Sequence, residues 1–270
     1  MSRVATLAGE LTIEIGGIPI CLRAQEQSFL EMLAEHYAAF VKPPGGEAVC
    51  DLEVRLASSG LISDQEDVRV RRNPECWLLE RSDICAELTP DMRRGTVCQS
   101  ADLFSTDTVL RLVHTLLLSI RGGFLLHAAS AIRNGRAFVF PGPSGAGKTT
   151  VTRFAPAGVT VLTDEISYIR RKDSTYCAFG TPFAGELARV GENVNAPIAA
   201  LYLLVHGVNN RIRPLSGAES GAALLRNIVF FAEDPPLVKL VFHAACDLVS
   251  RIPVFRLEFT PDHRVWEMIG

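Results

Sequence analysis

Residues 142–149 read G-P-S-G-A-G-K-T and fit the pattern G-x-x-x-x-G-K-[ST] of a phosphate-binding loop. The glycines let successive backbone N–H groups turn toward one centre, which forms a nest for an anion. In this pattern Lys148 reaches the β- and γ-phosphates, and the Thr149 hydroxyl ligates the Mg²⁺ that bridges them. The pattern therefore predicts a site for ATP and Mg²⁺ formed by Gly142, Ser144, Gly145, Ala146, Gly147, Lys148, Thr149 and Thr150.

The flanking segments support this interpretation. Residues 136–140 are apolar after the first arginine and predict a strand that runs into the loop, and residues 149–154 predict a short helix after it. Strand, glycine loop and helix is the context that confirms the motif, and the helix dipole adds to the positive potential at the loop. Lysine is rare in this chain, at four of 27 basic residues, so a glycine-rich surface turn with an incidental lysine is the weaker alternative.

Carboxylates follow the loop closely along the chain. Residues 159–163 predict a strand that ends in Asp164 and Glu165. Beside a phosphate loop, one carboxylate can hold Mg²⁺ or its waters, and the other can take the proton of an attacking hydroxyl. An exposed acidic turn is the alternative. Glu186 ends a second glycine-punctuated turn, which is either a plain loop or the source of a further metal-side carboxylate.

His127 lies in the middle of a predicted strand, residues 124–132. The pair Asn134-Gly135 predicts a hairpin between this strand and the one that enters the phosphate loop. The hairpin makes His127 a near neighbour of the loop, although a lone histidine among apolar residues is often only part of a core.

The chain predicts two domains of different character. Residues 1–102 predict an α+β module, with strands at 10–15 and 18–22, a helix from Phe29 to Phe40, and short strands at 51–56, 68–72, 77–80 and 84–88. Residues 103–270 form the predicted core around the phosphate loop, starting with a helix at 105–121 that Ser105 or Thr106 caps. The arginines at 69, 71 and 72 predict a solvated strand edge.

Composition narrows the classes of partner. The net charge of −3 gives no reason to expect a nucleic-acid partner or an anionic membrane. The most apolar region, residues 109–132, is too interrupted by charge and glycine to span a bilayer. Seven dispersed cysteines without a C-x-x-C pair predict buried, reduced thiols, and no signal peptide is expected, so we expect a cytoplasmic protein.

The strand histidine, the hairpin, the loop and the acidic pair together resemble the catalytic domain of the HPr kinase/phosphorylase family, especially its shorter HPr-kinase-related members. The resemblance covers roughly residues 105–190 and implies an α/β fold with a P-loop kinase core of the HPr kinase and phosphoenolpyruvate carboxykinase type. It also implies transfer of the ATP γ-phosphate to a serine hydroxyl of a protein or peptide. The second acid is glutamate here, where the family more often has aspartate.

Carried over residue by residue, the resemblance implies that Lys148 is the phosphate lysine and Thr149 the Mg²⁺ ligand. Asp164 matches the general base, Glu165 supports the metal or the base, and His127 orients the base. Three other functions stay open: an ATPase in which Glu165 activates water, a GTP switch, and a nucleotide-binding module without catalysis. The chain has no N-K-x-D guanine motif. The oligomeric state, including a homo-oligomer, is also open.

Overall fold

The computed structural model describes residues 9–57, 67–183, 185 and 190–269. The Cα positions divide the chain into two compact units, Met1–Leu117 with Phe231–Asp234, and Leu118–Phe230 with Pro235–Gly270. Both units contain strands and helices, so the predicted α/β class is confirmed. The domain boundary expected after residue 102 stays a prediction.

A seven-stranded sheet forms most of the first unit. Its strands, in chain order, are β1 (Gly9–Ile15), β2 (Ile18–Ala24), β3 (Cys50–Leu56), β4 (Arg69–Arg72), β5 (Trp77–Arg81), β6 (Ile84–Leu88) and β7 (Arg94–Gln99). They lie in the order β1-β2-β3-β7-β6-β5-β4. Helix α1 (Gln27–His36) follows β2 and buries Phe29, Leu30 and Leu33. A 3-10 turn, Ala38–Phe40, ends this segment.

The predicted elements of the first unit all occur, and one strand was not predicted. The apolar face of β1 alternates with half-buried residues, which is why its pattern predicts a strand. The arginine cluster lies on β4 at the edge of the sheet with exposed side chains, as expected. Strand β7 lacks a clear apolar alternation, because only Val97 and Gln99 of its six residues are buried.

Helix α2 (Leu103–Ser119) starts two residues earlier than predicted. The expected caps, Ser105 and Thr106, lie inside its first turn. Instead, the Asp102 carboxylate accepts a hydrogen bond of 2.8 Å from the backbone N–H of Ser105. Asp caps a helix better than an internal hydroxyl because its oxygen reaches the free N–H groups of the first turn.

Nine strands form the sheet of the second unit, within the described residues. They are β8 (Gly123–Arg133), β9 (Arg136–Pro141), β10 (Thr160–Thr163), β11 (Ile166–Lys172), β12 (Thr175–Phe179), β13 (Asn195–His206), β14 (Arg211–Pro214), β15 (Ile228–Val229) and β16 (Val254–Phe259). Its helices are α3 (Lys148–Arg153), α4 (Gly217–Leu225) and α5 (Pro235–Arg251). The sheet is mixed, since β13 pairs in parallel with both β9 and β16 while most other pairs are antiparallel.

The predicted hairpin joins β8 to β9. Asn134 and Gly135 have φ values of 51° and 72°, the conformation that a two-residue turn of type I′ requires. The register pairs Arg133 with Arg136 and Ala128 with Pro141. Asparagine and glycine tolerate positive φ better than other residues, which is why this dipeptide is so strong a turn signal.

Two apolar clusters cover this sheet. One includes Leu126, Leu162 and Leu201 of the sheet and the buried face of α5, among them Val241 and Leu248. The other cluster packs α3 and the C-terminal 3-10 turn, His263–Glu267, against the sheet through Phe140, Val151, Phe259 and Trp266. The indole N–H of Trp266 donates to the Val151 carbonyl at 2.8 Å and so fixes α3 at the end of β9.

The cysteines are free but less uniformly buried than predicted. Cys21, Cys50 and Cys177 are buried, three others are half-buried, and Cys246 is exposed on α5. The prediction of buried thiols is therefore wrong for Cys246, which lies on the solvent side of an amphipathic helix. Among the residues that the structure describes, no helix is long and apolar enough to cross a membrane.

Candidate functional site

The phosphate-loop segment lies between β9 and α3, where the sequence predicts it. Gly145 and Gly147 have φ values of 77° and 101°, a region that other residues rarely adopt. A Cβ atom on Gly147 would lie 2.5 Å from Cζ of Phe259. The backbone at Gly147 therefore requires glycine for two independent reasons, its conformation and its contact with the ring below it.

Lys148 is the first residue of α3 and is buried, with 7% of its surface exposed. Its Nζ donates hydrogen bonds to the carbonyl oxygens of Gly142 and Pro143, both at 3.0 Å. The side chain thus folds back over the loop, and its ammonium group lies against the carbonyl groups of the first two loop residues. A cation in this position can exchange carbonyl oxygens for phosphate oxygens without a change in the fold of the loop.

Strand β8 connects the loop to the acidic pair. The backbone carbonyl of His127 accepts from the N–H of Gly142 at 3.4 Å, and the N–H of Ala128 donates to the carbonyl of Glu165 at 2.9 Å. His127 is also where β8 changes neighbours, because it pairs with Ile166 of β11, whereas Ala128 pairs with β9. The backbone groups of these two neighbouring residues of β8 therefore hold the start of the loop and the acidic pair at a fixed separation.

Asp164 and Glu165 lie in the tight turn between β10 and β11. The Thr163 hydroxyl accepts hydrogen bonds from the N–H groups of Glu165 and Ile166, both at 3.2 Å, and holds this turn. The side chain of Asp164 is buried, with 4% exposed, and its Oδ1 accepts from the N–H of Gly185 at 3.0 Å. The acids do not form an exposed turn, which was the alternative interpretation from the sequence.

One cavity of about 360 Å³ brings together most of the predicted residues. Its walls contain Lys148, Thr149, Asp164, Glu165 and His127. The other lining residues are Ser144, Gly145, Gly147, Thr150, Gly185 and His206. Gly142 and Ala146 belong to the loop but do not line this cavity, and Glu186 lies outside the described residues.

The electrostatics of His127 follow from its place in this cavity. Burial lowers the pKa of His127, and the positive charge of Lys148 lowers it further. Both effects disfavour the imidazolium form. His127 is therefore neutral at pH 7 and can accept or donate a hydrogen bond through its ring without adding a second positive charge beside Lys148.

The donor set fits Mg²⁺ held together with phosphate better than a metal held by protein alone. Within the described ranges, no group of three or more His, Cys, Asp or Glu side chains is placed to hold a metal ion. Mg²⁺ in nucleotide sites uses one or two protein oxygens and takes its other ligands from phosphates and water. The Thr149 hydroxyl and the Glu165 carboxylate, which line the same cavity, are oxygen donors of this kind.

Three parallel strands end at this site. β9, β13 and β16 pair in the same direction and end at Pro141, His206 and Phe259. Ligands of α/β proteins bind outside the carboxyl ends of parallel strands, because loops and helix N-termini converge there. The position of the cavity follows this rule.

His206 is a site residue that the sequence does not reveal. Its Nε2 donates to the carbonyl oxygen of Gly145, and its ring stacks on Phe259 with centroids 6.2 Å apart. The one available signal is its position at the end of a long apolar strand, and this position points to the loop only once β13 is known to lie parallel to β9. His206 fixes one peptide plane of the loop from a segment 61 residues away.

A second, larger cleft of about 840 Å³ adjoins the loop from the other side. It shares His127, Ser144, Gly145 and His206 with the smaller cavity. Its remaining walls come from the end of β13 and from β14, α4 and β16, and they contain apolar side chains and three arginines. The two cavities meet at the first half of the phosphate loop.

Comparison with known proteins identifies the family of this chain. A family model described as SynChlorMet cassette protein ScmC matches residues 96–270, which is more than half of the chain. The chain belongs to the ScmC family. The matched segment includes the whole of β8, the loop, the acidic pair and both cavities. No curated protein matches the chain.

The solved structures that are similar include the HPr(Ser) kinase/phosphatase from Coxiella burnetii. This similarity has 10% sequence identity and a TM-score of 0.28, and it covers 50% of this chain and 84% of that chain. The kinase core stays a proposal for this ScmC family member.

Proposed function

We propose that this chain transfers the γ-phosphate of ATP to a hydroxyl group, with serine of a protein or peptide as the acceptor. The observation that carries the proposal is the cavity in which Lys148 and Thr149 of the loop lie together with Asp164, Glu165 and His127. A cation, two carboxylates and a neutral imidazole around one space are the groups that phosphoryl transfer uses.

Binding and orientation are assigned to the loop. The N–H groups at the start of α3 and the Lys148 ammonium group bind the β- and γ-phosphates. Thr149 and Glu165 would hold Mg²⁺, which neutralises charge on the phosphates when it is bound. His206 keeps the Gly145 peptide plane in place, so that the loop does not have to reorganise when the nucleotide binds.

Proton transfer is assigned to Asp164. The acceptor oxygen forms a bond to the γ-phosphorus, and the bond from that phosphorus to the β–γ bridging oxygen breaks, so that ADP leaves with the electron pair. The hydroxyl proton moves to the Asp164 carboxylate. The hydrogen bond from the Gly185 N–H to Oδ1 holds this carboxylate at the wall of the cavity, where it can accept the proton. His127, which lines the same cavity, is assigned the role of orienting the carboxylate.

The experiment is incubation with Mg-ATP and a mixture of serine peptides, with intact mass as the readout. We expect a peptide that gains one phosphoryl group, and the Asp164→Asn variant should lower the rate by about 10²- to 10⁴-fold while it still binds nucleotide. Asp173→Asn is the matched control, because Asp173 is exposed in the turn between β11 and β12.

The outcomes separate the alternative functions. Phosphate release at the same rate with and without peptide would identify an ATPase. Nucleotide binding without any turnover would identify a binding module. If Asp164→Asn loses Mg²⁺-dependent binding while each bound nucleotide still turns over normally, Asp164 is a metal ligand and the assignment of the base is wrong.

A further inference from the structure

The larger cleft is lined by both apolar and charged side chains. Leu203, Leu215, Ala222 and Ala223 give it apolar walls. Its charged lining consists of three arginines and one glutamate, in a chain whose net charge is −3. The lining of this cleft, which adjoins the phosphate loop, therefore carries more positive than negative charge and favours an acidic ligand.

The arginines differ in how far they are already neutralised. Arg213 Nη2 lies 3.2 Å from Glu219 Oε1, the one acid in the lining. Arg256 Nε lies 3.2 Å from Glu258 Oε1. Arg226, at the end of α4, is exposed and has no acidic partner among the residues that the structure describes. Its guanidinium group is therefore available to a carboxylate from outside.

Local structure holds these groups in place. Ser216 and Glu219 form a capping box at the start of α4, with the Glu219 N–H donating to the Ser216 hydroxyl at 3.3 Å. Glu219 therefore keeps both the helix and Arg213 in position. Arg226 follows the nine helical residues of α4, so its backbone is fixed relative to the cleft. A planar guanidinium group with a fixed backbone recognises carboxylates in a bidentate manner.

We propose that this cleft binds an acidic peptide segment, whose carboxylate contacts Arg226 and whose apolar side chains pack on Leu215 and Ala222. The peptide would then run toward His127 and present its serine to the smaller cavity. The role of the cleft as the acceptor site rests on the proposed function, whereas binding of an acidic peptide does not depend on turnover. A cleft of about 840 Å³ is large enough for such a segment.

A different role for Arg226 is the favourable interaction of a cation with the negative end of α4. That role affects stability and has no effect on peptide binding. A second alternative is that the cleft holds the nucleoside of ATP, since apolar walls and arginine also suit a base. The test has to separate these two alternatives from peptide binding.

The test uses fluorescence anisotropy with a labelled peptide in which aspartate and glutamate flank one serine, and a neutral version with asparagine and glutamine. We expect the acidic peptide to bind at least tenfold more tightly. Arg226→Glu should remove most of this difference, and Arg136→Glu should not. Arg136 is the matched control because it is exposed at the hairpin and lines neither cavity.

Three results of the binding test would overturn the proposal. The first is equal binding of the acidic and neutral peptides by the wild-type protein. The second is displacement of the acidic peptide by saturating Mg-ADP, which would assign the cleft to the nucleoside. The third is competition by succinate at the concentration at which the peptide binds, which would identify a small-acid site.

Failure of the kinase proposal has a different signature. In that case the acidic peptide still binds and Arg226→Glu still weakens it, but no phosphoryl group is transferred. If transfer occurs, Arg226→Glu should raise KM for the acidic peptide about tenfold with kcat nearly unchanged. A fall in kcat for every acceptor, together with slower hydrolysis without acceptor, would place Arg226 on the phosphoryl group and overturn the assignment to the peptide.

Discussion

Replacement of Lys148 by alanine separates the structural role of this side chain from its role toward phosphate. Without nucleotide, the variant loses the two hydrogen bonds of 3.0 Å from Nζ to the carbonyl oxygens of Gly142 and Pro143. A hydrogen bond to a charged group contributes about 1.5–3 kcal/mol. Because Pro143 is exposed, its hydrogen bond contributes little, so we expect the loss of both bonds together to cost about that amount. For a chain of this size, this loss lowers Tm by roughly 3–12 °C.

With nucleotide, the decisive quantity is the rise in Tm that Mg-ATP produces, compared between the wild type and Lys148→Ala. At about 100 times the dissociation constant, Mg-ATP stabilises the wild-type fold by about 2.7 kcal/mol, or roughly 5–11 °C. Loss of one charge-assisted contact of about 1.5–3 kcal/mol weakens binding roughly 12- to 160-fold. At the same nucleotide concentration, the stabilisation falls to about 0.3–1.3 kcal/mol.

The assay is thermal unfolding with and without Mg-ATP for the wild type, Lys148→Ala and Lys172→Ala. Lys172 is the control because it is exposed at the end of β11. A Lys148→Ala protein that melts earlier but keeps the full shift with Mg-ATP would refute the assignment of residues 142–149 as the phosphate site. An unchanged Tm without nucleotide would contradict the contacts of Nζ with the loop.

Three further predictions concern the walls of the site. Gly147→Ala should lower the free energy of unfolding by about 2–4 kcal/mol, because this residue has a positive φ and a Cβ atom there would contact Phe259. At Gly145 a Cβ atom would meet no atom within 4 Å, so Gly145→Ala should lower it by only about 1 kcal/mol. Equal losses in urea unfolding would contradict the close approach of Gly147 to Phe259. Because the pKa of His127 is lowered in the folded state, the unfolded state binds more protons below about pH 6.5. Stability should therefore fall as the pH is lowered through this range, and less steeply in His127→Gln. A slope equal to that of the wild type would contradict the burial of His127. His206→Phe keeps an aromatic ring on Phe259 but loses the hydrogen-bond donor to the Gly145 carbonyl. Nucleotide affinity, measured by calorimetry, should therefore fall roughly 2- to 12-fold with little change in Tm. An unaltered affinity would show that His206 does not contribute to the site.

The local elements could be predicted because their signals lie in contiguous residues. Asn134 and Gly135 predict the hairpin, and both have the positive φ that its turn requires. The strand that enters the phosphate loop and the short helix after it also occur, with bounds within one residue of those predicted. The cap of α2 was assigned to the wrong residue because Asp102 precedes two other capable side chains, and only the backbone geometry selects among them.

Other features of the site have no local signal. The contact of the Gly185 N–H with Asp164 joins residues 21 positions apart, and nothing in the periodicity of either segment predicts it. The capping box of α4 is visible in the sequence as S-x-x-E, but its consequence, a fixed arginine and glutamate in a cleft beside the phosphate loop, depends on where α4 packs. The untested roles of Asp164, Glu165 and His127 stay predictions.

The sequence by itself determined the loop, its strand and helix, the hairpin and the presence of two carboxylates a short distance along the chain. These features depend on backbone conformations that glycine, asparagine and apolar alternation select over a few residues. Only the tertiary structure decided that β9, β13 and β16 run parallel and end together. That pairing places His206 on the loop and three arginines in the adjoining cleft, because the register between distant strands is set by packing of the whole sheet.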